Sequence, residues 1–146
     1  MSDKNAEQIK SMVIYKDNNI IVLNKPSGLA VQGGTNTFHH IEAWLPALKY
    51  EKEEAPKLVH RIDKDTTGSI IACKNDMAHK EIAAQLKEHS IVRKYRAICA
   101  GVIKEDSGTV NAPIGRDEKD RKKMSVNPKN GKEAITHYNV INNNNN

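Results

Sequence analysis

Short apolar runs alternate with polar turns along the chain, and their spacing predicts more strands than helices. Residues 12–15 and 20–23 are β-rich runs separated by Asp17-Asn18-Asn19, a turn-forming trio, and so predict a hairpin. Pro26 and Gly28 end it, and Gly33-Gly34 punctuate the loop that follows. Within 39–49, Ile41, Trp44, Leu45 and Leu48 recur at helical spacing, with Pro46 either in the first turn or bending the helix. Leu58-Val59 and 69–73 read as strands on either side of a dense polar turn. Asn75 caps an amphipathic helix with Ala78, Ile82, Ala83 and Leu86 on one face and Lys80, Glu81, Lys87 and Glu88 elsewhere. Residues 91–102 predict a long strand, and 124–126 and 133–141 two more, the last after an Asn130-Gly131 turn. Residues 1–11 are polar and are expected to form a loose arm. The pattern as a whole predicts an α+β fold with a mostly antiparallel sheet.

At 146 residues the chain is about one domain long, and its 38% apolar content is lean, with a single Phe and a single Trp. A mean hydropathy of −0.67 fits a strongly solvated protein. No apolar run approaches the about 20 residues needed to cross a bilayer, and residues 1–10 lack the apolar centre of a signal peptide, so the expected location is cytoplasmic, with no membrane partner. Cys73 and Cys99 lie far apart in apolar, strand-like runs, which predicts two buried reduced thiols. The histidines form no zinc pattern, and no metal is expected. The net charge of +5 favours a polyanionic partner. Most of it lies in 116–132, where seven basic residues, among them Arg116, Arg121, Lys122 and Lys123, face three acidic ones. On charge alone this segment is either a phosphate-gripping surface or a solvated hairpin tip.

The polar turn between the two apolar runs, Leu58-Val59-His60-Arg61-Ile62-Asp63-Lys64-Asp65-Thr66-Thr67-Gly68, holds a carboxylate between two rigid flanks, as a catalytic group requires. An aspartate in a turn more often bonds nearby backbone amides, so residue type alone leaves both readings of Asp63 open. Asp65, two residues on, reads as a cap or turn former, and the two acids are not an opposed pair across a sugar. Arg61 shares a face with Asp63 if the backbone is extended, where it either reaches a ligand or pairs with Asp63 or Asp65. Tyr95, flanked by Arg93, Lys94 and Arg96, suits stacking on a base with phosphate contacts beside it, or the ordinary core of a strand. Lys25, before Pro26, either contacts RNA or snorkels at a strand end.

The wording of this turn resembles the His-Arg-Leu-Asp-x-x-Thr-Ser/Thr-Gly signature of the RluA-type pseudouridine synthases, with Ile62 in place of the usual Leu. Upstream, Ile21-Val22-Leu23-Asn24-Lys25-Pro26-Ser27-Gly28-Leu29-Ala30-Val31 resembles the family's first motif. Downstream, Arg93-Lys94-Tyr95-Arg96-Ala97 resembles the segment carrying its active-site tyrosine, and 108–138 resembles the stretch that follows. The resemblance covers roughly residues 12–141. One departure stands out: the family's later Gly-Arg-Thr-His-Gln-Ile-Arg-like run is absent, and the last five positions, 142–146, are all Asn, a polar tract or residues of unknown identity.

The resemblance implies a central mixed, mostly antiparallel sheet with flanking helices, incomplete in this chain, with 12–141 as the N-terminal portion of the catalytic domain. It implies an RNA pseudouridine synthase acting without cofactor as a monomer on ribosomal RNA, with transfer RNA as the other candidate. Asp63 would be catalytic. Arg61 would take the place of the extruded base, Tyr95 would line the pocket, and Arg116, Arg121, Lys122 and Lys123 would contact RNA. The competing reading is a non-catalytic RNA-binding fragment or relative.

Overall fold

The computed structural model describes residues 2–34, 37–50, 54–121 and 123–143. The chain forms two compact units, residues 1–93 and 94–146. The first opens with a helix, α1 (Asp3–Ser11), followed by β1 (Val13–Lys16), β2 (Ile20–Lys25), the short α2 (Ile41–Trp44) running into a 3-10 turn (Leu45–Leu48), β3 (Lys57–Leu58), β4 (Gly68–Cys73) and α3 (Asp76–Lys87). The four strands form one sheet in the order β1-β2-β4-β3, with every neighbouring pair antiparallel.

Alternation along the central strands decides which face is covered. Register places Ile21 opposite Ala72 and Leu23 opposite Ile70. All four are fully buried on one face, where Ile9, Met12, Leu29, Val31, Ile41, Trp44, Leu45 and Leu48 pack against them. Helix α1 is thus part of the core, which corrects the expectation of a loose arm over 1–11. Ser2 caps it by accepting a hydrogen bond from the Asn5 amide, and Ile9 and Met12, three residues apart, are its buried anchors. Burying one isoleucine is worth about 1.5–3 kcal/mol, which lets tertiary packing hold a nine-residue helix that its polar sequence would not. Pro46 lies in the first turn of the 3-10 segment, where its missing amide costs nothing. Asn75 caps α3 by accepting from the Ala78 amide at 2.8 Å.

The second unit contains β5 (Ser107–Asn111), β6 (Ile114–Arg116), β7 (Met124–Val126) and β8 (Ile135–Asn139), paired as β5 with β8 and β6 with β7, both antiparallel. Asn127 ties its turn together. Its side-chain amide donates to the Arg116 carbonyl at 3.1 Å, while its Oδ1 accepts from the Lys129 and Asn130 amides at 3.2 and 3.0 Å. At Gly131 an added Cβ would stand 2.4 Å from the Asn127 carbonyl oxygen, so glycine is required where Asn130-Gly131 marks the turn.

The long strand expected over 91–102 is not formed among the described residues. A strand needs a partner for its amides and carbonyls, and this run has none among the described residues. Val92, Ile98 and Val102 stand exposed, and Cys99 is exposed as well, so only Cys73 is the buried thiol that was expected.

Candidate functional site

The polar turn between β3 and β4 is fixed from three directions. Where the β3–β4 ladder ends, the His60 Nε2 accepts a hydrogen bond from the Ile71 amide at 3.0 Å, so a side chain extends the ladder by one rung. Ile62 packs half-buried against the core cluster. The Thr66 amide bonds the Asp63 carbonyl at 3.2 Å to close the turn, and Gly68, at φ +126°, takes a conformation that favours glycine.

The third hold comes from the end of β2. Lys25 follows Ile21 and Leu23 on the inward face and is completely buried, 0% exposed. Its Nζ donates to the carbonyls of Lys64 at 2.6 Å, Leu29 at 2.7 Å and Pro26 at 2.9 Å. Three donors meeting three acceptors is the full capacity of an ammonium group. Ser27 adds a bond from its hydroxyl to the Asp65 carbonyl at 3.0 Å. Burial pushes the Lys25 pKa below its ordinary value, while the fields of Asp65 and Asp63 act in the opposite direction. A buried cation therefore lies within electrostatic reach of both turn carboxylates. Neither RNA contact nor snorkelling describes it. Sequence reasoning missed this role, although the signal was present: inward positions at 21 and 23 place 25 on the same face, and a buried lysine must find partners.

Turn-forming aspartates in this molecule look different from Asp63. Asp17 Oδ1 accepts from the Asn19 and Ile20 amides at 2.7 and 2.8 Å, and Asp117 Oδ1 from the Lys119 and Asp120 amides at 2.9 Å each. Those amide bonds hold both carboxyls below the usual range. Asp63 is exposed, and its carboxylate takes no hydrogen bond or ion pair among the described residues. Asp65, expected as a cap or turn former, contributes its main-chain carbonyl and not its carboxylate. The turn is thus built from lysine, serine, histidine and main chain, and leaves the Asp63 carboxylate free.

Arg61 shares the turn with Asp63 but pairs with neither acid. Its Nη1 donates to the Gln32 Oε1 at 3.2 Å, which replaces the ion pair considered from sequence. Tyr95 belongs to the second unit, 63% exposed in the stretch without a strand, and is no core residue. Arg116 and Arg121 meet on the β6–β7 hairpin, where the Arg116 Nη1 donates to the Arg121 carbonyl at 3.2 Å. Both line an open cleft of about 430 Å³ with Asp117, Glu118, Asn127 and Asn130. Lys123 pairs with Asp120 at 3.4 Å, and Lys122 lies outside the described residues.

Residues 19–146 match the family described as RNA pseudouridylate synthase. The chain belongs to that family. An uncharacterised RNA pseudouridine synthase of Bacillus subtilis is 39% identical over 144 residues, covering 93% of this chain and 46% of the relative. A ribosomal large subunit pseudouridine synthase D of Pseudomonas aeruginosa is 40% identical over 141 residues, covering 93% of this chain and 43% of the relative. The chain therefore spans less than half the length of these curated relatives. Among solved structures, human RNA pseudouridylate synthase domain containing 4 superposes with a TM-score of 0.73 at 29% identity, over 92% of this chain and 55% of that one. The pseudouridine synthase fold expected from the motifs is thus present, and the Lys25, Ser27 and Asp63 geometry belongs to an RNA pseudouridylate synthase domain.

One prediction concerns the frame of this site. The His60 Nε2 must stay unprotonated to accept from Ile71, and burial, followed by the Arg93 charge, lowers its pKa below the ordinary 6.5. The unfolded chain then binds the proton more readily, so stability rises with pH. The contribution is fully present above about pH 6.5 and is lost as pH falls through the lower folded-state value. Urea midpoints should fall from pH 7.5 to 5, and less steeply in His60→Gln, whose amide oxygen accepts without titrating. Equal slopes in both proteins would refute the assignment.

Proposed function

We propose that this chain carries the catalytic aspartate of an RNA pseudouridine synthase acting on ribosomal RNA in the cytoplasm, with Asp63 as the reacting carboxylate. The observation that carries the reading is the free Asp63 carboxylate, displayed on a turn clamped by Lys25 and Ser27. Pseudouridine formation breaks the bond from uracil N1 to ribose C1′ and joins C5 to the same carbon. C5 gives up its hydrogen to solvent and N1 gains one, so atoms balance without an oxidant, a reductant or an energy source. A carboxylate serves this route by attacking the sugar or by removing the C2′ proton. The target base must leave its stack first, at a cost of a few kcal/mol. Arg61, exposed beside Asp63, suits the vacated space, and Tyr95, an exposed aromatic among cations, suits stacking on the displaced uracil. The name of the Pseudomonas aeruginosa relative supports a ribosomal target.

The test is tritium release from ribosomal RNA labelled at uridine C5, using the full-length protein. Release that maps to discrete uridines supports the reading. Binding without release would leave the non-catalytic RNA-binding alternative. The basic hairpin has its own test. Neutralising Arg121, Lys122 and Lys123 together is expected to weaken binding to RNAs of any sequence and to flatten the dependence on salt, by about 0.7–0.9 in log–log slope per lost phosphate contact. An unchanged slope across a salt series would return the segment to a solvated hairpin tip.

A further inference from the structure

Gln32 lies next to Arg61 because of main-chain register. Val31 is buried, and its carbonyl accepts from the Glu42 amide at 3.0 Å, as the Ala30 carbonyl does from Ile41 at 3.0 Å. These bonds lay 30–31 alongside the start of α2, with a parallel bridge between Ala30 and His40. The approach is close just past Gln32, since a Cβ added at Gly33 would stand 2.8 Å from the His40 Nε2. Gln32 is therefore held beside Glu42, and its Nε2 donates to the Glu42 Oε1 at 3.3 Å while its Oε1 accepts from the Arg61 Nη1 at 3.2 Å.

The chemistry of this bridge is specific to an amide. A carboxylate at 32 would repel Glu42 and trap the guanidinium in an ion pair. A cation would pair with Glu42 and repel Arg61. A primary amide accepts from one partner and donates to the other. Without that acceptor, Arg61 stands two residues from Asp63 with no other hydrogen bond or ion pair among the described residues, and opposite charges attract it to Asp63 or Asp65. An Asp63 carboxylate covered by a guanidinium is a poorer nucleophile and base. We infer that Gln32, oriented by Glu42, is a positioning residue that holds Arg61 off Asp63 and aims it towards the RNA. The inference rests on the roles proposed for Asp63 and Arg61.

A double-mutant cycle on the full-length protein tests it, with release of tritium from C5-labelled ribosomal RNA as the readout. Gln32→Ala is expected to lower kcat about three- to tenfold, the range of one ordinary hydrogen bond, with KM nearly unchanged. In an Arg61→Ala background the same substitution should cost nothing further, because the residue through which it acts is gone. Exchanging the two groups, Gln32→Glu with Glu42→Gln, relieves the repulsion but leaves a carboxylate at 32 that traps the guanidinium, so it should not recover the lost rate, and full recovery would overturn the need for an amide there. An equal loss in the Arg61→Ala background, or no loss in either, overturns the role of Gln32 while leaving Arg61 in place. Full activity of Arg61→Ala would instead remove the assignment of Arg61 itself, and the role inferred for Gln32 with it.

Discussion

Asp63→Asn should abolish tritium release from C5-labelled ribosomal RNA while leaving RNA affinity within about threefold. The substitution keeps size and hydrogen-bonding shape and removes only the ionised oxygen. Loss of a positioned acid–base group alone costs on the order of 10²–10⁴-fold in rate, and loss of a nucleophile costs more. The structure separates this chemical effect from a structural one. The Asp63 side chain bonds nothing among the described residues, and the turn is closed by its main-chain carbonyl. Unfolding midpoints of the variant should therefore match the parent, as expected for an exposed site without structural bonds. Asp65→Asn, two residues away and equally exposed, is the control and should keep most of the activity. Undiminished release by Asp63→Asn would remove it from the reaction. A large drop in stability would show instead that the carboxylate is part of the turn.

Much of the first unit was legible because its signals are local. Asp17-Asn18-Asn19 announced the β1–β2 hairpin, Asn75 announced α3, and the spacing of Ile41, Trp44, Leu45 and Leu48 announced a short helical piece. What failed depended on distant partners. Residues 91–102 have strand composition, but composition supplies no neighbour, and a strand without one does not form. Helix α1 was illegible for the opposite reason: one buried isoleucine in nine polar-rich residues sends almost no periodic signal, and its stability comes from the core it docks on. At the candidate site, motif wording located Asp63 and Arg61 together but assigned no job to Lys25, Ser27 or Gln32. Their roles lie in bonds to main chain or side chains 29 to 39 positions away. Free turn carboxylates are visible only when those bonds are counted, because in sequence Asp63, Asp17 and Asp117 look alike.

Lys25→Met is expected to destabilise the first unit by about 2–4 kcal/mol and to reduce turnover further than the loss of folded protein explains. Hydrogen bonds from a charged donor contribute about 1.5–3 kcal/mol each, and removing the cation also leaves the Leu29 carbonyl without its donor. Relief of the cost of burying a charge offsets part of this sum, which is why the expected net is well below three full bonds. The effect on turnover has a separate origin. Lys64 lies next to Asp63, and its carbonyl is fixed by the 2.6 Å bond from Lys25. Without that bond, Ser27, His60, Ile62 and the Thr66 amide still frame the turn, but the main chain beside the carboxylate loses its anchor and the carboxylate loses the nearby positive charge. Lys25→Arg should not rescue either property. A planar guanidinium is larger than the buried site and cannot direct donors at three carbonyls converging on one point. Urea denaturation together with tritium release corrected for folded fraction measures both effects. A Met variant as stable and as active as the parent would show that the three carbonyls find other partners and that the turn does not depend on β2.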